Sequence, residues 1–252
     1  MVMQLFALTG GIAAGKSCVA GLLSEFGLRV VSADSLVEVL YRTDVRLIEE
    51  IKGRFLCNDE KSLSELVFSD SRARRVLNQL THQRVNSLAL DYFWQLRNEP
   101  VVIYEIPILE STSPFVGFAP GECGVFASGK IQHSGVLFVH SDCESRIDRL
   151  MKRNNLNRIQ ALQRIHSQTP YMPQYSLRAG DLLRTGGSLR TGDLSHDFRE
   201  ERAPHKGVKV YSVHTSGVSK TLCMIQNTSD FSHLRQCVAS VFQIMKTIDR
   251  SV

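Results

Sequence analysis

The sequence is poor in the patterns that mark several large protein classes, and each gap removes one of them. Its six cysteines, Cys18, Cys57, Cys123, Cys143, Cys223 and Cys237, contain no C-x-x-C pair. That argues against a disulfide framework or zinc knuckle and for free thiols in a reducing compartment. The eight histidines form no H-x-x-x-H or H-E-x-x-H cluster, so a zinc site is not expected. No apolar run approaches the roughly 20 residues that span a bilayer, and residues 1–9 read as a strand rather than a secretory leader. The excess of positive charge is small: 30 Lys and Arg against 25 Asp and Glu leave +5. Such a balance suits an anionic ligand but is weak evidence for a nucleic-acid or membrane surface. The expectation is a cytoplasmic protein with no membrane partner and no obligate nucleic acid.

Against that background one stretch stands out. Gly10-Gly11-Ile12-Ala13-Ala14-Gly15-Lys16-Ser17 follows the apolar run Gln4–Thr9 and precedes a helical pattern, and it fits the phosphate-loop spacing G-x-x-x-x-G-K-[ST]. Small residues there let successive backbone N–H groups converge on a polyphosphate at a helix N-terminus. Lys16 then reaches the β- and γ-phosphates, and the Ser17 hydroxyl is a ligand for Mg²⁺.

The rest of the chain alternates strand and helix signals. Val19, Leu22, Leu23 and Phe26 recur at helical spacing and Gly27 offers a stop. Leu28–Val31 reads as a second strand, at whose end stands Asp34. In open α/β sheets ligands gather at the carboxyl ends of strands, so Asp34 is either an acid near the phosphates or the N-cap of a helix starting at Ser35 or Leu36. Residues 36–98 are helical in pattern, with breaks near 57–59 and 69–70. Val101–Pro107 is an apolar run suited to a strand buried on both faces, interrupted by Glu105. A carboxylate there needs a cation, a metal or a bound water; with Ser17 it makes a candidate Mg²⁺ site, and an arginine ion pair is the plainer alternative.

Residues 111–135 read as an extended loop, and Val136–Val139 as a further core strand. The helix that follows carries Arg146, Arg149 and Arg153 on one face. That face suits either closure over phosphates or a nucleic-acid patch. From about Leu183 to Thr221 the chain is rich in Arg, Gly, Ser and His and poor in large apolar residues, so it reads as a disordered surface insertion dispensable for folding. Leu222–Ile225 then reads as the last strand and residues 231–248 as the last helix.

Taken together, these segments resemble the dephospho-CoA kinase family. The resemblance rests on Leu8–Ile12 with Gly15-Lys16-Ser17, Ala33-Asp34, Leu77-Asn78 with Thr81-His82, and Ile106–Leu109. It continues in Arg149–Arg153, Arg164-Ile165 with Gln168, and Ala179–Asp181. It implies an α/β, P-loop NTPase-like three-layer core on a parallel sheet, made of residues 1–34, 99–140 and 222–252. A helical acceptor-binding insertion at 35–98, a helical lid at 141–183 and the insertion at 184–221 complete the expected division.

The activity implied is transfer of the ATP γ-phosphoryl group to the 3′-hydroxyl of dephospho-CoA, with Mg²⁺. Asp34, Lys16 and Arg149 are the expected catalytic groups, and Ser17 and Glu105 the metal side. ATP falls to Gly10, Gly11, Ile12, Ala13, Ala14, Gly15, Lys16, Ser17 and Cys18, with Arg149, Arg153 and Asn227. The acceptor falls to Asp34, His82, Arg84, Glu105 and Pro107.

Several positions depart from the family pattern. Ala13-Ala14 stand where Gly-Ser is usual, Cys18 for Thr, Gln83 for Pro, Glu105 for Asp, Arg146 for Gln and Ser176 for Lys. Alanine leaves the loop workable provided neither position takes a positive φ. A nucleoside or nucleoside-monophosphate kinase, and a non-catalytic nucleotide- or RNA-binding protein, are the competing readings.

Overall fold

The computed structural model describes residues 3–56, 62–63, 66–67, 70–106, 133–167, 197–201, 203, 205–215, 218–228 and 230–248. Pro107, the 111–135 loop up to residue 132, Gln168, Ser176 and Ala179–Asp181 therefore lie outside the described residues.

The chain divides into two units, Met1–Val30 with Asn98–Val252, and Val31–Arg97. The larger is built on a seven-stranded sheet of order β2-β3-β1-β4-β7-β6-β5. Its strands are β1 (Gln4–Gly10), β2 (Arg29–Ser32), β3 (Val101–Glu105), β4 (Gly135–His140), β5 (Asp197–Glu201), β6 (Val208–Thr215) and β7 (Val218–Gln226). β1 runs parallel to β3 and β4, and β4 parallel to β7. Alternate residues of β1, Phe6 and Leu8 on one face and Leu5 and Ala7 on the other, are all fully buried, as a parallel sheet covered on both faces requires.

Helices α1 (Lys16–Glu25) and α7 (Phe231–Ile248) cover one face. Val19, Leu22 and Leu23 from α1 and Leu234, Val238, Val241 and Met245 from α7 join Phe6, Leu8, Ile103, Leu137, Val139 and Ile225 in one core. Burial of each large aliphatic or aromatic side chain there contributes about 1.5–3 kcal/mol relative to exposure. Phe26 stacks on Phe242 at 5.4 Å where the two helices meet. Gly27, at φ +88, turns the chain from α1 toward β2.

The sheet is mixed rather than wholly parallel. β6 pairs antiparallel with β7, and β5 antiparallel with β6. Residues 197–221, expected to belong to a disordered insertion, thus contain two strands and the start of a third. The reason is local: Val208-Lys209-Val210 alternates, and both valines are buried in the same core as α7. The first part of that segment, 184–196, lies outside the described residues.

The smaller unit is helical: α2 (Ala33–Thr43), α3 (Val45–Phe55) and α4 (Ser71–Gln95). Asp44 caps α3 by accepting from Leu47 N at 2.9 Å and Asp70 caps α4 by accepting from Arg72 N at 2.7 Å. Leu36, Leu40, Leu47, Ile51, Val85, Ala89 and Phe93 are among its buried apolar residues.

Two changes test the role of the antiparallel strands. Val210→Ala should lower unfolding free energy by about 2 kcal/mol, read by urea denaturation. Removal of residues 185–220 takes β5, β6 and the first residues of β7 with it, and should abolish soluble, cooperatively melting protein. A deletion variant with an unchanged melting temperature would mean that these strands lie outside the cooperative core.

Candidate phosphate-binding site

The loop between β1 and α1 is held by its carbonyl oxygens. Lys16 Nζ folds back to donate to Gly10 O at 2.9 Å and Gly11 O at 3.3 Å. Arg146 Nε donates to Ile12 O at 2.8 Å. Arg149 Nη1 donates to Ala13 O at 3.0 Å, to Ala14 O at 3.4 Å and to the Ser141 hydroxyl at 3.0 Å. Asn227 Nδ2 donates to Ala14 O at 2.9 Å. Gly15 O is taken by Cys18 N and Val19 N, both at 3.1 Å, in the first turn of α1.

Every carbonyl from residue 10 to 15 therefore has a donor. The loop also bonds to itself, Ala14 N donating to Gly11 O at 3.1 Å. α1 begins at Gly15 without a side-chain cap, which suits a helix end whose first N–H groups serve an anion.

Three sequence features make the geometry possible. Gly15 sits at φ +100, and a Cβ there would collide with the Asn227 amide. A Cβ on Gly11 would lie 2.8 Å from Arg146 Nη2. Asn227 is itself fixed, 6% exposed, at the turn between β7 and α7, with its N–H on His140 O at 2.8 Å. Ala13, however, has φ +59. The condition under which alanine would be harmless fails at that position, since a left-handed L-residue costs about 1–2 kcal/mol. Its side chain packs with Ile12, Met151 and Leu162 against Ile147, Leu150, Ala161 and Ile165, an apolar contact that offsets part of the strain.

Arg146 and Arg149 come from α5 (Cys143–Asn154), which with α6 (Arg158–Ser167) lies in the segment expected to form a lid. Asp142 caps α5 by accepting from Ser145 N at 2.8 Å, and Asn155 ends it at φ +51. A two-pronged ion pair from Arg158 to Glu144, at 2.7 and 2.8 Å, ties α6 to α5. Burial holds Arg146 below its ordinary pKa, although an arginine stays charged. Burial, followed by the field of Arg146, also holds His140 below its ordinary value, so near neutral pH its ring is uncharged. Arg146 has no carboxylate partner among the described residues. It is a half-buried cation against the loop, a role assigned from sequence only to Arg149 and Arg153.

On the metal side, the Ser17 hydroxyl donates to Glu105 Oε1 at 3.3 Å. A hydroxyl and a carboxylate from two different elements meet at the loop, a pair of hard oxygen donors that fits Mg²⁺. Glu105 is the last residue of β3, in register with Leu8, so the polar break in its apolar strand marks the end that faces the loop.

The other expected site residues are placed as follows. Arg153 lies on the exposed side of α5 and donates to its neighbour Asn154 at 3.2 Å, away from the carbonyls that Arg146 and Arg149 hold. Cys18 is exposed on α1. In the helical unit, Asp34 occupies the first turn of α2, and the cap position is Ser32. The N-cap alternative for Asp34 is thereby removed, because the helix begins two residues earlier than its polar residues suggested. His82 is exposed on α4. Arg84 bridges α3 and α4: it pairs with Asp44 at 3.2 Å and Glu50 at 2.8 Å, and donates to Leu80 O at 3.0 Å. That network gives Arg84 a structural occupation the sequence did not disclose.

With this geometry in hand, the chain can be set beside known proteins. The dephospho-CoA kinase family model matches residues 4–115. The dephospho-CoA kinase of Halalkalibacterium halodurans is 30% identical over 196 residues, 74% of this chain and 90% of that protein. That of Syntrophotalea carbinolica is 30% identical over 226 residues, 85% of this chain and 99% of that protein. The chain belongs to the dephospho-CoA kinase family. A zebrafish (Danio rerio) dephospho-CoA kinase domain-containing protein is 31% identical over 74% of this chain and 79% of its own length.

Among solved structures, a Thermus thermophilus protein matches with a TM-score of 0.61 at 21% identity, covering 97% of this chain and 98% of its own. The dephospho-CoA kinase from Campylobacter jejuni matches at 0.50 and 20% identity over 96% and 97%. These two likenesses speak to the fold, an α/β sheet of mostly parallel strands flanked by helices. No helix among the described residues is long and apolar enough to cross a membrane.

The strained alanine gives a discriminating stability test. In Ala13→Gly, relief of about 1–2 kcal/mol is opposed by about 0.4–1 kcal/mol of added unfolded-state freedom and about 0.8 kcal/mol of lost methyl packing. The net should fall within about 0.5 kcal/mol of zero. Ala14→Gly, at a position 1% exposed and without positive φ, has no strain to relieve and should cost about 1–2 kcal/mol. Equal losses in urea denaturation of the two variants would contradict the strain at Ala13.

Proposed function

We propose that this dephospho-CoA kinase family member transfers the γ-phosphoryl group of ATP to the 3′-hydroxyl of dephospho-CoA, giving CoA and ADP, and that it works in the cytoplasm. The observation that carries this reading is the phosphate loop, with all six carbonyls from Gly10 to Gly15 held and Ser17 meeting Glu105 at its helix end. Phosphoryl transfer asks a protein mainly for alignment and for charge placed where the transferring oxygens develop theirs.

The residues divide that work. The loop amides and the N-terminus of α1 bind the β- and γ-phosphates. Lys16 holds loop carbonyls and takes up phosphate oxygens when nucleotide is bound; Arg149 and Arg146 place two further cations beside the same loop. Ser17 and Glu105 are the residues that hold Mg²⁺, which when bound offsets phosphate charge. Asp34 is assigned to accept the proton of the acceptor hydroxyl, a carboxylate set in the first turn of a helix. His82 is assigned to the acceptor. Arg84 is assigned there only through its support of the helical unit.

The deciding experiment is ADP release with dephospho-CoA against nucleoside monophosphates, with CoA identified by mass. Turnover of a nucleoside monophosphate and none of dephospho-CoA would overturn the acceptor; no turnover of either would leave a nucleotide-binding protein. Asp34→Asn should keep ATP affinity and lower kcat by about 10²-fold or more, and near-normal kcat would remove Asp34 from the chemistry. Arg146→Gln should raise the KM for ATP by about 10-fold, on the scale of one charge-assisted contact, and an unchanged KM would leave Arg146 as loop support alone.

A further inference from the structure

A second cluster of chemistry-bearing side chains lies in the sheet unit, apart from the residues of the phosphate loop. His205 precedes β6, and His233 and Cys237 are one turn apart on α7. Cys237 Sγ is 3.5 Å from His205 Nδ1 and 3.5 Å from His233 Nε2, and one donor atom from each of the three residues lies within 4.8 Å of the others. Bond lengths of about 2.3 Å for zinc–sulfur and about 2.0–2.1 Å for zinc–nitrogen, at a tetrahedral angle, separate nitrogen from sulfur by about 3.6 Å.

The surroundings prepare the donors. Gln236 Oε1 stands 3.2 Å from His205 Nε2 and accepts its proton, while Gly207 N donates to His205 Nδ1 at 3.2 Å. The Gln236 contact favours the tautomer with a lone pair on Nδ1, the nitrogen that faces the sulfur, as outer partners of metal-binding histidines do; an ion bound there takes that lone pair in place of the Gly207 N–H. Gly207 keeps the space open: a Cβ there would run into Cys237 Sγ and His233 Nε2.

From this geometry we infer that His205, His233 and Cys237 form a binding site for a thiophilic divalent transition ion of the Zn²⁺ class, with three protein ligands and one position for water. One soft sulfur and two imidazoles do not suit Mg²⁺ or Ca²⁺, which take oxygen ligands, so the site is chemically separate from the Ser17–Glu105 pair. Binding replaces the Cys237 thiol proton, which leaves to solvent, with a metal–sulfur bond. The ion staples the turn before β6 to α7. Gly207 O accepts from Gln226 N at 2.8 Å, so the staple sits beside the segment that carries Asn227 to the phosphate loop.

The test uses the full chain, stripped of metal, with Mg²⁺ in excess to cover oxygen sites. Titration with Zn²⁺ should show one tight equivalent and raise the melting temperature, and Co²⁺ should give the thiolate charge-transfer absorption of a tetrahedral sulfur-bound ion. Cys237→Ser and His205→Ala should each weaken Zn²⁺ binding by about 100-fold or more and Gln236→Ala by about 10-fold. Gly207→Ala should block binding with all three ligands kept, and Cys143→Ser should leave the stoichiometry unchanged. Each variant is melted without metal to separate folding from binding. Wild-type protein with no stoichiometric Zn²⁺, or Zn²⁺ binding that survives Cys237→Ser, overturns the site.

Discussion

The constraint on which the structure depends is the disposal of six consecutive carbonyl oxygens at the phosphate loop. A loop that offers its N–H groups to an anion must send its C=O groups to the other side, and a buried carbonyl without a donor costs about 1–3 kcal/mol. The fold meets that demand with side chains from widely separated parts of the sequence. Lys16 comes from the loop's own helix, Arg146 and Arg149 from α5, and Asn227 from the turn after β7. The position of α5 and the pairing of β7 with β4 are thus both conditions for a competent loop. The four donor residues act through one short segment, so their contributions to stability and to nucleotide affinity will not add.

This arrangement also explains why the loop tolerates unusual residues. A glycine at position 13 would adopt φ +59 freely, but it would remove the side chain that packs beside the apolar cluster of α5 and α6. Alanine accepts backbone strain and gains a contact that ties the loop to the lid. Arg146, where glutamine is the family habit, contributes in the same direction: its guanidinium reaches Ile12 O and lies over Gly11. Strain in the loop and an additional cation from the lid therefore go together in this chain.

What could be read from the sequence followed the range of the interactions. The loop was legible because its spacing is local, and Glu105 because one carboxylate in an apolar strand is a local anomaly. Helix starts were less so: Asp34 looked like a cap because the start of α2 at Ala33 is fixed by β2 running straight into it. β5 and β6 were hidden because a composition of Arg, Gly, Ser and His outweighed the alternation around Val208 and Val210, whose burial depends on α7 far along the chain. Of the second cluster, His233 and Cys237 are a four-residue step on a helix, a mixed pair that histidine spacing alone does not register. His205, 28 residues before His233, is brought there by the sheet alone. Arg84 likewise reads as substrate-facing until Asp44 and Glu50 are seen to enclose it.

The basic face of α5 and α6 had two meanings in sequence, a lid over phosphates or a surface for nucleic acid. Nucleic-acid binding by charge needs several exposed cations that can each neutralise a phosphate. Here Arg146 and Arg149 point into the loop and are partly buried, and Arg158 is occupied by Glu144. The cations that remain exposed, Lys152 and Arg153 at the end of α5, are a pair at a helix C-terminus, where positive charge is stabilising on its own account. A long anionic backbone would find little to track along this face. The number of arginines is the same in both readings; their direction, set by the carbonyls that Arg146 and Arg149 hold, supports the phosphate reading over the nucleic-acid one.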